Sequence, residues 1–332
     1  MRRSPRLPLF VAIMTSASLL LTACGSGGGT SSSSEDTSEI PQSEAGVSSE
    51  TPVVTVSSYP LAYIAARVGG DQIELVDIST SGGHAHELEL SPAQVQRLST
   101  SDLVLYLSQG FQPAVETAVQ QQGVKSLDGF HVLEEDSTIV GDPHVWLDPT
   151  NIAAIGEALA STLSELNPAE SSFYENNAAL LRADMEEVDA TYAQALANCE
   201  GETLLTSHEA FGYLAQRYNL EQMGVTGIDP EAEPSPARLR ELQTIISERG
   251  ITTLFVEPTT SHHHSGNLSE TLGVEEWPLD TMESQVDPSM DVIAMFDENL
   301  HSLGHGLTCA VTDHHDDDHS DTHDHEDEEG HS

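Results

Sequence analysis

From Pro52 onward the chain alternates short apolar runs of strand character with amphipathic runs of helical character, and it does so in two blocks. In the first block VVTVSS, IELVDIST, DLVLYLS and VKSLDGF read as strands. YPLAYIAARVGG, SPAQVQRLSTS, the run from Ala114 to Gln122 and NIAAIGEALASTLSEL read as helices, with Ser91 a fitting N-cap and Pro92 at the first helical position. In the second block TLLTS, TTLFVE and a short VEEWPLD segment are strand-like. EAFGYLAQRYN, SPARLRELQTIISERG and the run from Met290 to Leu307 are helical. Strands that alternate with helices belong to a mostly parallel sheet covered on both faces. Between the blocks, from Pro168 to Cys199, apolar residues keep helical spacing with no strand. A helix of that length would run about 45 Å, more than one lobe needs for its own core, and reads as a rigid connector. The expected fold class is α/β: two lobes, each with a mostly parallel sheet flanked by helices, joined by one long connecting helix. The expected boundaries are 52–166 for the first lobe, 167–198 for the helix and 199–312 for the second lobe.

The two ends are of another kind. Residues 1–23 combine Arg2, Arg3 and Arg6 with the apolar run LPLFVAIMTSASLLL, the pattern of an export signal, and LTAC before the glycines resembles a bacterial lipobox. Cys24 is then the lipidated first residue of the mature chain, and residues 24–51, rich in Gly, Ser and acidic residues, form a tether. No later stretch is apolar enough to span a bilayer, so the expected location is the outer face of a bacterial membrane, held by lipid. With Cys24 assigned to lipid, Cys199 and Cys309 remain as a pair in an oxidising compartment. Neither has a CxxC partner that would argue for a zinc thiolate. The net charge of −44 repels phosphate and argues against nucleic-acid binding.

Three histidines lie in separate, distinctive segments: His86 in HAHELELSP, His144 in DPHVWLDP and His208 in TSHEAFGYLAQRYNL. Neutral imidazole is a common ligand for zinc and its neighbours. Each follows a strand, as does Asp280 in WPLDTM, and ligand-binding loops in open parallel sheets lie at the carboxyl ends of strands. Two candidates from each lobe suit a metal site in the cleft between lobes. For Asp280 three roles stay open: ligating directly, orienting a histidine, or leaving the fourth position to water. Glu257 in FVEPTTS is the alternative carboxylate, and His84, two residues before His86, the alternative imidazole. His131 and His301 read as polar surface or core residues, and the run His262, His263, His264 as an exposed polar loop or a weak auxiliary metal site.

These motifs resemble those of the metal-binding lipoproteins of bacterial ABC importers, the zinc and manganese solute-binding group, over roughly 53–307. HELELSP, DPHVWLDP, SHEAFGYLAQRYNL and WPLD stand where that family carries its ligand motifs. The resemblance implies ligation by His86, His144, His208 and Asp280 and delivery to a permease driven by a cytoplasmic ATPase. In that family a histidine at the third position goes with zinc and a glutamate with manganese. The coordination chemistry agrees, because imidazole-rich sites suit Zn(II) and carboxylate-rich sites suit Mn(II). The expected cargo is Zn(II), with a manganese or iron importer of the same fold, or a stand-alone extracellular zinc buffer, as the alternatives. A zinc hydrolase would need Glu209 or Glu257 as general base, and the chain has neither an HExxH helix nor a GxSxG elbow. The expectation is therefore a monomeric binding protein and not an enzyme.

Residues 313–332 carry ten acidic residues with His314, His315, His319, His323, His325 and His331. Such a segment lacks a core and is expected to be disordered. Its imidazoles, largely neutral at pH 7, would capture metal and raise its supply near the cleft.

Overall fold

The computed structural model describes residues 51–79, 85–134, 137–258 and 268–310. Cys24, His84, the 262–264 histidines and the six tail histidines lie outside the described residues.

The first sheet contains β1 (Val53–Val56), β2 (Glu74–Asp77), β3 (Leu103–Tyr106) and β4 (Ser126–Asp128), in the order β2-β1-β3-β4, all parallel. The second contains β5 (Thr203–Thr206), β6 (Glu221–Gly224), β7 (Thr253–Val256) and β8 (Glu275–Pro278), in the order β6-β5-β7-β8, again all parallel. The two lobes repeat one topology, and in each the order reverses beside the first strand, which opens a crevice at the carboxyl ends. The fold-class expectation holds. β6 escapes the hydrophobic pattern because its four residues, EQMG, bury only Gly224 fully.

Local chemistry places the helices. Helix α1 (Tyr59–Gly69) follows β1, and α2 (Pro92–Thr100) starts with a full capping box between Ser91 and Gln94. Helices α3 (Pro113–Gln122) and α4 (Pro149–Leu166) also open on proline, and Asp148 caps α4 through the Thr150 N–H. In the second lobe α6 (Gly212–Arg217) is short, and α7 (Pro236–Arg249) runs from a Ser235 cap to Gly250 at φ 69°. The C-terminal helix α8 (Val292–Gly306) is capped by Asp291.

The connector α5 (Ser171–Ala195) has 25 residues, shorter than the sequence pattern suggests, because Pro168–Glu170 forms a separate 3-10 turn. It is bound to both lobes. Its first half serves the N-terminal lobe: Tyr174 donates to the Gln72 carbonyl at 3.0 Å, Asn177 to the Val68 carbonyl at 3.1 Å, and Asp184 pairs with Arg67. Leu181 packs so closely on α4 that a side chain at Gly156 would meet it at 2.7 Å. Its second half serves the other lobe, where Tyr192 donates to the Phe296 carbonyl at 2.6 Å and Asp189 holds Arg217 through two hydrogen bonds of 2.7 and 2.6 Å. Cys199 and Cys309 form a disulfide that ties the start of the second lobe to the segment after α8. Closing a loop of 110 residues stabilises the fold by an idealised ~4–5 kcal/mol. The double variant Cys199→Ser/Cys309→Ser is expected to melt on the order of 10 °C lower, as read by circular dichroism. Among the described residues no helix is long and apolar enough to cross a membrane.

Candidate metal centre

Segments that follow five of the strands converge between the sheets. His86 lies in the 3-10 turn Ala85–Glu87 beyond β2, and His144 opens the 3-10 turn Val145–Leu147. His208 follows β5 by two residues. Glu257 follows β7 directly, and Asp280 and Glu283 follow β8. The lobes meet here through hydrogen bonds. Trp146 donates to the Thr281 carbonyl at 2.7 Å, and the Tyr59 N–H donates to the Glu283 carbonyl at 3.4 Å. Tyr213 accepts from the Ile139 N–H at 2.9 Å and donates to the Asp142 carbonyl at 3.2 Å.

Three donor atoms form a triangle in this cleft. His86 Nε2 and His144 Nε2 stand 3.1 Å apart, and Glu283 Oε1 lies 3.4 Å from the first and 3.3 Å from the second. Two atoms each about 2.0–2.1 Å from one tetrahedral ion stand about 3.3 Å apart. The observed edges are those of one face of such a tetrahedron. His86, His144 and Glu283 are the group of potential metal donors found among the described residues. His208 falls outside this group, with its ring centroid 5.6 Å from that of His144 and 1% of its surface exposed. Its Nδ1 lies 2.6 Å from Glu257 Oε1 without hydrogen-bond alignment, and its buried Nε2 has no hydrogen-bond partner. A buried imidazole nitrogen without a partner is costly in an apo protein and useful to a metal.

The carboxylates divide by role. Asp142 Oδ1 takes His144 Nδ1 at 2.8 Å and the His144 N–H at 3.0 Å, which turns Nε2 toward the triangle. Glu257 Oε1 lies close to His208 Nδ1 but is not aligned to accept a hydrogen bond from it. Imidazoles that ligate metals are commonly oriented by a carboxylate on the other nitrogen. Asp280 is not brought into the triangle. Its Oδ1 accepts the Met282 N–H at 2.7 Å, while Asn299 holds its backbone on both sides, at 2.7 Å to N–H and 2.8 Å to the carbonyl. Burial raises the Asp280 carboxyl to about 6 against the Met282 hydrogen bond, with Glu257 and Glu283 adding repulsion.

Glu283 was missed by sequence reasoning. Asp280 and Met282, the latter at φ 58°, turn the chain after β8 so that the next side chain enters the cleft. No periodicity announces that turn. The available signal was a second acid three residues beyond Asp280.

Burial alone would lower the His144 pKa, but hydrogen bonds to Asp142 and Glu283 outweigh it and raise the group to about 9. The same pairing holds the Glu283 carboxyl well below its ordinary value despite burial. At pH 7 the metal-free site is therefore an imidazolium–carboxylate pair, and a bound cation must displace the His144 proton. Zinc binding at pH 7 is expected to release about one proton from this pair. Apparent affinity should fall about tenfold per pH unit on acidification below about 9. Calorimetry in two buffers of different ionisation enthalpy reads the proton directly, and an enthalpy independent of buffer would contradict it.

The family model of the periplasmic zinc-uptake complex component A, ZnuA, matches residues 54–306. The chain belongs to this family. Zinc-binding lipoprotein AdcA of Streptococcus pneumoniae (strain ATCC BAA-255 / R6) is 27% identical over 273 residues, covering 75% of this chain and 54% of that protein. The chain thus spans about half the length of this relative. The high-affinity zinc uptake system protein ZnuA of Bacillus subtilis (strain 168) is 24% identical over 277 residues, covering 76% of this chain and 87% of the other. Among solved structures, the Zn(II)-bound ZnuA-like domain of Streptococcus pneumoniae AdcA superposes with a TM-score of 0.67 at 26% identity. That match covers 77% of this chain and 99% of the domain. The family is one of solute-binding and transport components located outside the cytoplasm.

Proposed function

We propose that this chain captures Zn(II) outside the cytoplasm and delivers it to an ABC permease powered by a cytoplasmic ATPase. The observation that carries the reading is the triangle of His86 Nε2, His144 Nε2 and Glu283 Oε1, with edges of 3.1–3.4 Å, backed by the buried, unpartnered Nε2 of His208. In this reading His86, His144, His208 and Glu283 hold the ion, and Asp142 aims the His144 imidazole. Asp280 shapes the turn that presents Glu283. Three imidazoles and one carboxylate favour Zn(II) over Mn(II). A site whose four positions are all protein atoms favours capture over hydrolysis, since no open position remains for a reacting water. The relatives named for zinc binding and zinc uptake support the cargo.

The finer assignments belong to the same reading. Lipid on Cys24 anchors a monomer to the outer face of the membrane, the 24–51 tether gives it reach, and the tail histidines hold metal weakly and raise its local supply. Competition titration with a chelator tests the cargo. Zn(II) is expected to bind on the order of a hundredfold or more tighter than Mn(II), and equal or tighter binding of Mn(II) would replace zinc with manganese. Deleting the gene should slow growth under zinc limitation, and uptake unchanged by the deletion would leave a buffer rather than an importer component.

The Asp142 contact yields its own expectation. Asp142→Ala keeps all four proposed ligands but releases the His144 ring, so zinc affinity should fall about 10–100-fold. Chelator competition measures it, and an unchanged affinity would show that Asp142 does not orient the ligand.

A further inference from the structure

Two histidines outside the cleft face solvent together. His301 and His305 are one turn apart on α8, both exposed, with ring centroids 4.6 Å apart and planes at 71°. Residues at i and i+4 on a helix are neighbours. Two imidazoles bound to one ion at right angles, through nitrogens about 2.0–2.1 Å from it, bring their centroids to about 4.5 Å. The observed centroid separation of 4.6 Å matches that spacing.

The surroundings favour a cation. Asp297 and Glu298, one turn before His301, are exposed on the same side of the helix. His305 also lies in the last turn of α8, where unsatisfied carbonyls carry partial negative charge and stabilise positive ions. One ring is held in place: Trp277 of β8 stacks on His305 with centroids 4.3 Å apart and planes 4° from parallel. Stacking uses the face of the imidazole and coordination uses the lone pair in its plane, so the two do not compete. The indole removes rotamer freedom that a flexible surface ligand would have to lose on binding.

We propose that His301 and His305 form a second divalent-metal site, on the outer face of α8, for borderline transition ions of the Cu(II), Ni(II) and Zn(II) class. It supplies two protein ligands and leaves the other positions to water, so it exchanges its ion readily, unlike the enclosed cleft. Among divalent ions a two-imidazole site prefers Cu(II).

The chain has two tryptophans. Trp146 sits against His144 in the cleft and Trp277 against His305, so each reports on one site. The full chain is first loaded with one equivalent of Zn(II) and then titrated with Cu(II) while tryptophan emission is followed. The part of the quenching that disappears in Trp277→Phe belongs to the outer site, and unchanged zinc affinity of that variant checks its fold. His301→Ala and His301→Gln remove one ligand and leave the stack. Each is expected to raise the Cu(II) midpoint of Trp277 quenching about tenfold or more. Failure of Cu(II) to quench Trp277 would overturn the site. A midpoint unchanged in both His301 variants would also overturn it, and would assign the quenching to copper held elsewhere, such as the histidine tail.

Discussion

Replacing His144 by alanine is expected to weaken zinc binding by three or more orders of magnitude while the protein stays folded. No other side chain in the cleft has as many connections. His144 is fully buried, touches His86 Nε2 at 3.1 Å and Glu283 Oε1 at 3.3 Å, and is aimed by Asp142 at 2.8 Å. Its loss removes one corner of the His86–His144–Glu283 triangle and the neighbour that compensates Glu283. Merely disturbing a group that orients a ligand costs about 10–100-fold, and removing a buried ligand from a four-coordinate zinc site costs more. The change also leaves two buried carboxylates without their partner, so the metal-free variant is expected to melt lower than the parent, and a native circular-dichroism spectrum checks that it stays folded. Competition with a chelator of known affinity gives the number. Zinc affinity within tenfold of the parent would place the tight site elsewhere.

The second large effect separates two acids three residues apart. Glu283→Ala is expected to lower zinc affinity at least about a hundredfold, and Asp280→Ala by about tenfold or less at the metal. The reason is geometric. Glu283 Oε1 completes the triangle with the two imidazoles, whereas Asp280 Oδ1 accepts the Met282 N–H and its backbone is clamped by Asn299. Asp280→Ala should instead reduce thermal stability, since it breaks the turn that holds Met282 at positive φ. Asp280→Asn, which retains an acceptor for that N–H, should recover most of both properties. The opposite ranking, with Asp280→Ala abolishing binding and Glu283→Ala leaving it intact, would restore the ligand set suggested by the WPLD motif.

Much of this architecture was readable before any coordinates. Buried strands such as LVLY and TLLT are continuous apolar or β-branched runs, and the helices between them carry explicit starts: Pro92 after Ser91, Pro149 after Asp148, Pro236 after Ser235. β6 was hidden because an edge strand of EQMG has no apolar pattern, and it is held instead by its parallel ladder to β5. The histidines stand out because each is set in a local motif at a strand end. Glu283 does not, because its position depends on a backbone turn two residues earlier and on contacts with His86 and His144, nearly 200 and 139 residues away in sequence. The contribution of Asp142 is likewise invisible until the ring nitrogens have coordinates.

In the proposed reading the tail and the outer face of α8 add exchangeable sites to an enclosed one, giving the chain graded metal affinities. Tethering weak sites near a tight one raises the local metal concentration without altering the tight site.

The central claim is that one enclosed ion is held between the lobes by these strand-end side chains. Anomalous diffraction at the zinc edge, from crystals of the chain loaded with one equivalent of Zn(II), tests it most directly. The account predicts one strong peak in the cleft, about 2.0–2.1 Å from His86 Nε2, His144 Nε2, His208 Nε2 and a Glu283 oxygen. A first equivalent found away from the cleft, or in the cleft on Asp280 with Glu283 turned aside, would contradict it.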